Sequence, residues 1–366
     1  MSKIFSNIDM KHILDNIQLF LFGTTHRWLF LFTFAFLIAF LLTPAMRLAA
    51  ARLKIVDLPD ERKIHKKPLP KLGGLAIYIS YVLVIFLNFD FSIELKGVII
   101  GGTIILLIGL IDDIKSLSAS WKLTGQLCAT FVLMLCGVKL NIFPDIWWGN
   151  VGEIVLTFLW VVGITNAVNF FDGMDGLATG LTAICSLSFF IVAQITGQSY
   201  LGYITIVLAG SCLGFLKFNF KPASIFLGDA GSTFLGFTLG GVAIMGGWAE
   251  NNPKVALSLP ILILSIFIFD MIYITVARIF RGRVKTFKEW IEYTGKDHLH
   301  HRLVLLGFTE TQTVLLIYLI ALCLGIGGIN LKATKDLGIY FELLQGLCVL
   351  TIIVILMLAG RELNKK

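Results

Sequence analysis

The sequence predicts an all-α polytopic membrane protein, and two observations support this fold class. Of its 366 residues, 57% are apolar and only 14% are charged, whereas a soluble domain carries roughly 25% charged residues. In addition, runs of about twenty apolar residues recur along the chain, which is the pattern of membrane-spanning helices. Because lipid offers the backbone no hydrogen-bond partners, these runs are expected to be helical.

Eleven such runs divide the chain, so that a single bundle over residues 28–360 uses nearly all of its length. The arm before it, residues 1–27, is compatible with an interfacial helix, and residues 361–366 form a basic tail. The predicted spans are 28–48, 72–88, 97–111, 122–138, 153–168, 176–195, 200–216, 232–248, 255–278, 312–329 and 338–359.

Lysine and arginine predict the orientation of this bundle, because cytoplasmic loops carry an excess of basic residues. With the N-terminus outside and the C-terminus in the cytoplasm, the inner segments hold 22 basic residues and the outer loops hold five. The net charge of +7 therefore lies mostly on the inner face. It suits anionic lipid headgroups and equally suits a polyphosphate substrate. The cytoplasmic loops expected to carry function are 49–71, 112–122, 169–175, 217–231 and 279–311.

Four of these inner segments carry acids or histidines that stand out in so apolar a chain. If the topology is right, they converge in one cytoplasmic cleft. In chain order they are Asp112 and Asp113 in "GLIDDIKS", Asn169, Asp172 and Asp175 in "NFFDGMDG", Asp229 in "FLGDAGST", and His298, His300 and His301 in "KDHLHHRL".

Each motif also has a plainer interpretation. Asp229 precedes a predicted helix, where aspartate often acts as a cap. The adjacent acids of "GLIDDIKS" are of a kind that is usually solvated, and the two acids of "NFFDGMDG" could line one helical face or bracket a turn. The histidines are harder to dismiss, because "KDHLHHRL" holds three of the six in the chain. The six cysteines form no CxxC pair and indicate packing, not a metal site or disulfides.

The residue types together indicate phosphoryl transfer. Clustered carboxylates repel one another unless a cation lies among them, and Mg²⁺ prefers one or two carboxylates with phosphate oxygens. Histidine can donate to phosphate or move protons near neutral pH. The chain lacks the GxxxxGK[ST] spacing of a P-loop hydrolase, and we expect no nucleic-acid partner. Candidate substrate-binding cations near the acids are Lys67, Lys71, Lys122, Arg281, Arg283 and Arg302.

Five segments carry a resemblance to a known family: "PKLGGLAI", "GLIDD", "NAVNFFDGMDGLATG", "FLGDAGS" and "DHLHHRL". The chain resembles the polyprenyl-phosphate N-acetylhexosamine-1-phosphate transferases over residues 28–360. Its "PKLGG" and "HLHHR" are similar to the branch that uses UDP-GlcNAc. The sister translocase, which takes UDP-MurNAc-pentapeptide, typically shows "PTMGG" and three consecutive histidines followed by an acid.

The resemblance implies a reaction and a place for it. UDP-GlcNAc and undecaprenyl phosphate give undecaprenyl-pyrophosphoryl-GlcNAc and UMP, with Mg²⁺ or Mn²⁺. This step starts the synthesis of O-antigen, enterobacterial common antigen or the teichoic acid linkage at the cytoplasmic face of the bacterial inner membrane. Members of the family commonly form dimers, so a homodimer is compatible with the resemblance. Whether transfer is direct or passes through a phospho-aspartate stays open.

The resemblance further implies roles for the donor-binding residues. Asn169 and Asp172 would belong to the catalytic centre. Asp175 would contact the uridine, and Phe226 would stack on the uracil. The loop between "RIFRGR" and "DHLHHRL" is a few residues longer than is usual for the family, which affects the arginines before it.

The remaining roles concern the metal and the lipid phosphate. Asp229 resembles the principal Mg²⁺ ligand. Asp112 and Asp113 resemble the pair that deprotonates the lipid phosphate or binds metal. The histidine motif, with the neighbouring arginines, would hold the pyrophosphate and the sugar.

A secondary transporter is the main rival interpretation, because acids within membrane spans often mark ion paths. Asp270 in "SIFIFDMIYI" is such an acid, about eight residues from the inner end of its span. It stands alone, however, and the chain shows no repeat of the kind found in many transporters. We interpret Asp270 as bonded to a neighbouring helix or supporting the site from behind. A purely structural scaffold would leave the four polar segments unexplained.

Overall fold

The protein is an assembly of helices with one short hairpin. The computed structural model describes residues 26–57, 68–88, 92–248, 252–286, 289–290, 293, 295, 297–333 and 336–363. Two antiparallel strands, β1 (Val56–Asp57) and β2 (Leu69–Pro70), follow the first helix. The helices α1 to α13 are Arg27–Arg52, Gly73–Asn88, Ile93–Lys115, Ala119–Leu135, Trp147–Phe170, Leu177–Ile195, Ser199–Asn219, Gly228–Met245, Pro253–Ile263, Ser265–Phe280, Leu299–Leu305, Glu310–Ala333 and Asp336–Leu363.

The helices confirm the predicted class of a polytopic membrane protein. Seven of the described helices are long and apolar enough to cross a membrane, and one bent pair counts as an eighth. The predicted spans 72–88, 122–138 and 232–248 fall on α2, α4 and α8, which do not reach that length and apolarity. The count of eleven spans and the orientation of the termini therefore stay predictions. The predicted arm lies outside the described residues up to Thr25.

The ninth predicted span, residues 255–278, is two helices. α9 and α10 meet at an angle of 80°. Pro260 lies inside α9, where it removes a backbone donor, and Leu264 at the junction leaves helical geometry with a ψ of 6°. The apolar composition continues across the break, which is why hydropathy did not reveal it. α10 therefore runs in a direction of its own, with Asp270 and Arg278 buried along it.

α8 lies at the centre of the bundle, and every residue from Ala230 to Ala243 is buried. Its neighbours approach closely, because a Cβ atom at Gly109 of α3 would lie only 2.5 Å from the Cα of Ala230. A Cβ at Gly74 of α2 would lie 2.2 Å from the Cα of Gly231. Only glycine permits such contacts. They bring the end of α3 and the start of α2 against the first turn of α8.

The loop that precedes α8 is tied to the start of α2 through the backbone. The amide of Phe226 donates to the carbonyl of Pro70 at 2.8 Å, and the amide of Gly73 donates to the carbonyl of Phe226 at 3.0 Å. Gly228 then adopts a φ of 76°, a conformation that favours glycine. A Cβ there would lie 2.6 Å from both a carboxylate oxygen of Asp113 and the carbonyl of Lys71. The hairpin, α3 and α8 thus meet at one end of the bundle.

Candidate active site

A lysine bridges two carboxylates where α3, α4 and α8 meet. The Nζ atom of Lys122 donates to Oδ2 of Asp112 at 2.8 Å and to Oδ2 of Asp229 at 3.1 Å. The other oxygen of Asp112 accepts a bond from the amide of Leu117 at 2.6 Å, which closes the turn after α3. Asp112 is 9% exposed, while Lys122 and Asp229 are 33% and 32% exposed. The lysine and one of its two carboxylate partners are therefore partly exposed, whereas the other partner is buried.

Asn169 holds Asp229 from the other side. Its Nδ2 atom donates to Oδ1 of Asp229 at 3.0 Å and to the hydroxyl of Ser232 at 2.7 Å. Asp229 and Ser232 are three residues apart on α8 and so share one face. The last turn of α5 is thus fixed against the first turn of α8. Ser232 was not predicted as part of the site, although "GDAGST" places a hydroxyl one turn after the acid.

Asp113 faces the start of α8. Its two carboxylate oxygens accept bonds from the amides of Asp229 and Ala230, both at 3.1 Å. The first amides of a helix have no partner within the helix, so Asp113 supplies two of these partners from a different helix. Asp112 and Asp113 therefore have different partners: Asp112 pairs with Lys122, and Asp113 accepts bonds from backbone amides of α8. The roles of Asp113 in metal binding or deprotonation stay predictions.

This contact leads to a prediction for Asp113→Asn. An amide side chain accepts through one oxygen only, so its nitrogen would face an N–H group of α8. We expect the free energy of unfolding to fall by about 1 kcal/mol, as for the loss of a helix cap. Thermal unfolding in detergent measures the change. Asp145→Asn is the matched control, because it makes the same chemical change at an exposed acid in the loop before α5. An unchanged melting temperature for Asp113→Asn would contradict the capping role.

Asp172 lies in the turn between α5 and α6, close to the charged cluster. Burial raises the pKa of Asp172 well above its usual range, the charges of Asp229 and Asp113 raise it further, and Lys71 opposes them. No hydrogen bond to its carboxylate is found within the described part of the chain. Asp175, later in the same turn, accepts a bond from the amide of Ala223 at 3.0 Å. Its predicted contact with uridine stays a prediction.

Lys71 is presented by the hairpin. Its Nζ atom pairs with Oδ1 of Asp57 at 2.9 Å. Burial alone would lower the pKa of Lys71, but the hydrogen bond and charge of Asp57, with the charges of Asp113 and Asp229, raise it overall. Lys71 is therefore a charged ammonium within the electrostatic reach of the carboxylate cluster, and its role in substrate binding stays a prediction.

The histidine segment is anchored to the bent helix. Asp270 of α10 is 1% exposed, and its Oδ2 atom lies 2.7 Å from Nδ1 of His298. Its Oδ1 atom accepts a bond from the amide of Leu299 at 2.8 Å. This confirms the interpretation of Asp270 as a residue bonded to a neighbouring segment. A carboxylate on Nδ1 fixes which ring nitrogen carries the proton, because it accepts a bond from Nδ1–H.

A second ion pair anchors the same segment. Arg278, also on α10, donates to both oxygens of Asp297 at 3.0 and 2.6 Å, and its guanidinium lies 4.4 Å from the centre of the Tyr293 ring. Burial would raise the pKa of Asp297, but the bonds and charge of Arg278 lower it overall. Arg302 is buried and donates to the carbonyl of Asp297 at 3.3 Å. Sequence reasoning missed Arg278, which lies within an apolar span.

His300 lies against the turn that carries Asp172. It is 1% exposed, and a Cβ at Gly173 would lie 2.7 Å from its Nε2 atom. Among the described residues, neither of its ring nitrogens has a hydrogen-bond partner. Burial lowers the pKa of His300 well below its usual value, and His301 and His298 lower it further. A neutral ring offers one donor and one acceptor, which a ligand at this turn can satisfy.

The remaining predicted residues are Phe226, Arg283, Arg281 and Lys67. Phe226 is half-buried beside Lys71, through the backbone pairing of its loop. Arg283 is exposed and donates to the hydroxyl of Tyr293 at 3.3 Å. Arg281 directly follows the last residue of α10 and is half-buried. Lys67 lies outside the described residues.

The donor set fits a divalent cation that is shared with phosphate. Among the described residues, no group of three His, Cys, Asp or Glu side chains is arranged to hold a metal by itself. Mg²⁺ in phosphoryl transfer, however, takes only one or two protein carboxylates and completes its shell with phosphate and water. Asp112 and Asp229 already converge on one cation, the ammonium of Lys122. Both oxygens of Asp113 accept bonds from backbone amides. The carboxylate of Asp229, by contrast, accepts bonds from the side chains of Lys122 and Asn169, and Asp112 has one oxygen on Lys122. Because a side chain can move aside for an ion more readily than a helix backbone, Asp112 and Asp229 fit the ion better.

Comparison with known proteins assigns the family. Residues 95–247, which include every acid of the cluster, match glycosyl transferase family 4. The chain is also 34% identical over 308 residues to the probable undecaprenyl-phosphate N-acetylglucosaminyl 1-phosphate transferase of Bacillus subtilis, over 82% of this chain and 84% of that relative. The chain belongs to glycosyl transferase family 4. It is therefore an enzyme, and the rival interpretation as a transporter is not needed.

Two further relatives place this glycosyl transferase within its family. The decaprenyl-phosphate N-acetylglucosaminephosphotransferase of Mycobacterium leprae is 37% identical over 78% of this chain and 79% of that relative. The phospho-N-acetylmuramoyl-pentapeptide-transferase of Staphylococcus saprophyticus is 29% identical over 81% of this chain and 96% of that relative. The glycosyl transferase is thus more similar to these two proteins named for N-acetylglucosamine than to this one named for the muramoyl pentapeptide.

Proposed function

We propose that this transferase moves GlcNAc-1-phosphate from UDP-GlcNAc to undecaprenyl phosphate, giving undecaprenyl-pyrophosphoryl-GlcNAc and UMP. The observation that carries the proposal is that Lys122 and Asn169 both donate hydrogen bonds to Asp229, at the point where α5 ends and α4 and α8 begin. A soluble nucleotide-sugar and a lipid phosphate can meet only at a membrane surface. A cluster of acids, lysines and histidines at the end of such a bundle could bind both substrates there.

The reaction exchanges one phosphoanhydride bond for another. An oxygen of the lipid phosphate attacks the phosphorus that bears the sugar, and the bond from that phosphorus to the oxygen shared with UMP breaks. A phosphate monoester has a second pKa of about 6, so most of the lipid phosphate is ionised at neutral pH. Asp172 and Asp112 are the candidates to accept the remaining proton. Lys122 and Lys71 stabilise the negative charge that develops on the phosphate oxygens.

Asp229 and Asp112 would hold Mg²⁺, for which Mn²⁺ can substitute. When bound, the ion neutralises charge on the pyrophosphate oxygens and polarises the phosphorus. Two further residues of the protein hold the proposed ligands and the helix that carries Asp229 in position. Asn169 orients the carboxylate of Asp229, and Asp113 keeps the first turn of α8 in position.

The histidine segment would hold the pyrophosphate and the sugar. Asp270 keeps the ring of His298 in one orientation, and the neutral ring of His300 offers one donor to a phosphate oxygen. His301 and Arg302 follow on the same short helix. Phe226 and Asp175 would receive the uridine, as the family resemblance implies.

The identity of the nucleotide-sugar substrate can be tested directly in a transfer assay. Purified protein, Mg²⁺ and undecaprenyl phosphate are incubated with UDP-GlcNAc, UDP-GalNAc or UDP-MurNAc-pentapeptide, and lipid-linked product and UMP are measured. UDP-glucose is the matched control, because it differs from UDP-GlcNAc only in carrying a hydroxyl in place of the 2-acetamido group. We expect the highest rate with UDP-GlcNAc. Product from the pentapeptide donor alone would assign the sister reaction, and no product from any donor would refute the proposal.

The proposed site lies at the cytoplasmic face of the bacterial inner membrane, in a bundle of about eleven membrane helices. Lys115, at the end of α3, and Asp145, before α5, are both exposed and would lie on opposite sides. In a cysteine-free background, an impermeant maleimide should label Lys115→Cys only in inside-out vesicles and Asp145→Cys only in right-side-out vesicles. The reverse pattern would overturn the orientation. The homodimer and the recipient polysaccharide are further expectations from the resemblance.

A further inference from the structure

Two amide side chains form a closed pair between α4 and α5, below the charged cluster. The Nε2 atom of Gln126 donates to Oδ1 of Asn166 at 3.1 Å, and the Nδ2 atom of Asn166 donates to Oε1 of Gln126 at 2.7 Å. Asn166 also donates to the carbonyl of Val162 at 2.8 Å. Gln126 is 5% exposed. Each amide thus supplies both the donor and the acceptor that the other needs.

The pair stands one helical turn away from the residues that hold Asp229. Gln126 follows Lys122 by four residues on α4, and Asn166 precedes Asn169 by three residues on α5. Residues with these spacings lie on the same face of a helix. Lys122 and Asn169 meet the two different oxygens of Asp229. The amide pair and the carboxylate therefore connect the same two helix faces at successive levels.

We propose that Gln126 and Asn166 are positioning residues for the transfer. Their paired amides fix the register of α4 against α5, so that Lys122 and Asn169 approach Asp229 together. A reciprocal pair specifies one register, because sliding either helix by one residue separates both donors from their acceptors. Apolar side chains of similar size would fill the space but would permit several registers. The inference rests on the proposed function only for its catalytic readout.

The opposite ends of the same two helices provide a matched control. There the hydroxyl of Thr157 accepts a bond from the amide of Leu140 at 3.0 Å. Glu153 accepts bonds from the amides of Ile142 and Phe143 at 3.0 and 3.1 Å. Thr157 is three turns from Asn169 and fully buried. Thr157→Val removes a buried polar tie between the segment after α4 and α5 without touching the level of the carboxylates.

The test compares turnover and helix register in Gln126→Leu, Asn166→Leu, the double variant and Thr157→Val. We call the Gln126–Asn166 pair the clasp. For each variant of the clasp we expect kcat to fall by about 10- to 100-fold. The double variant should lose no more than the worse single one, because one broken pair cannot be broken twice. The exchanged pair Gln126→Asn with Asn166→Gln should recover part of the rate, and Thr157→Val should keep it.

A second readout does not depend on activity. Spin labels at two exposed positions in a cysteine-free background, Trp121 on α4 and Leu159 on α5, report the distance between the helices. The distance distribution should broaden in the clasp variants and stay narrow in Thr157→Val. An unchanged distribution and an unchanged kcat in folded clasp variants would overturn the proposal. Broadening in a protein that transfers none of the tested donors would support the clasp and refute only the proposed reaction.

Discussion

Asp229→Asn is expected to lower turnover by at least about 100-fold, the range seen when one preorganised electrostatic contact is lost. The variant keeps the size of the side chain and one oxygen, but it loses the charge that balances Lys122 and that a divalent ion requires. Its amide also presents a donor to either Lys122 or Asn169, which are themselves donors. The rate should be measured over a series of Mg²⁺ concentrations, with half-maximal activity expected at higher Mg²⁺.

The comparison separates a catalytic role from that of a helix cap. Asp145→Asn makes the same change at an exposed acid and should leave the rate unaltered. Thermal unfolding of Asp229→Asn should show a folded protein. If its rate and Mg²⁺ dependence match those of the unaltered protein, Asp229 merely begins α8, which was the plainer interpretation of "FLGDAGST".

Asp172→Asn is expected to lose about 100- to 10,000-fold in rate, the usual contribution of a group that transfers a proton, and to gain stability. The folded protein raises the pKa of Asp172 by burial and by the charges of Asp229 and Asp113. Ionising this group therefore costs more in the folded than in the unfolded state. The cost appears as pH rises above the unfolded pKa of about 3.9, so the folded protein loses stability as pH rises to the raised pKa. Asparagine carries no such cost.

The measurement is a melting temperature between pH 4 and pH 8 without Mg²⁺. The variant should melt at a higher temperature near neutral pH, and the difference should shrink towards pH 4, where both proteins carry a neutral side chain. Asp175→Asn is the control in the same turn. Its carboxylate accepts a backbone bond from Ala223, so its replacement should not stabilise the protein. A rate unchanged in Asp172→Asn would remove Asp172 from the chemistry, and a lower melting temperature would contradict the like-charge argument.

The sequence predicted the parts of this site that depend on composition and order. Hydropathy located the apolar helices, and the basic bias placed the acid motifs at one end, where Asp112, Asp113 and Asp229 do lie together. The sequence could not show which groups each acid would bond to. Nothing in "GLIDDIKS" distinguishes an acid that binds a lysine from one that binds amides of another helix, because that depends on the packing of Gly109 against Ala230.

Other features escaped prediction because their signals lie far apart in the chain. Asp270 and His298 are separated by 28 residues, and α10, which carries Asp270, was hidden within a longer apolar run. Arg278 falls inside an apolar run, so hydropathy alone gave it no role. Gln126 and Asn166 lie 40 residues apart and, taken singly, each is an ordinary polar residue in a span. Only the register of α4 against α5 makes them a pair.

The burial of α8 has an electrostatic consequence. A helix carries a partial positive charge at its N-terminus and a partial negative charge at its C-terminus. α8 and α4 start at the carboxylate cluster, whereas α3 and α5 end there, so the macrodipoles of these two pairs run antiparallel and largely cancel at long range. What remains is a short-range field at the first turn of α8, in a segment without a basic side chain. A phosphate would sense this helix only once seated within a few ångströms of "GDAGS", so the field would help to orient a bound substrate and would do little to attract one from solution.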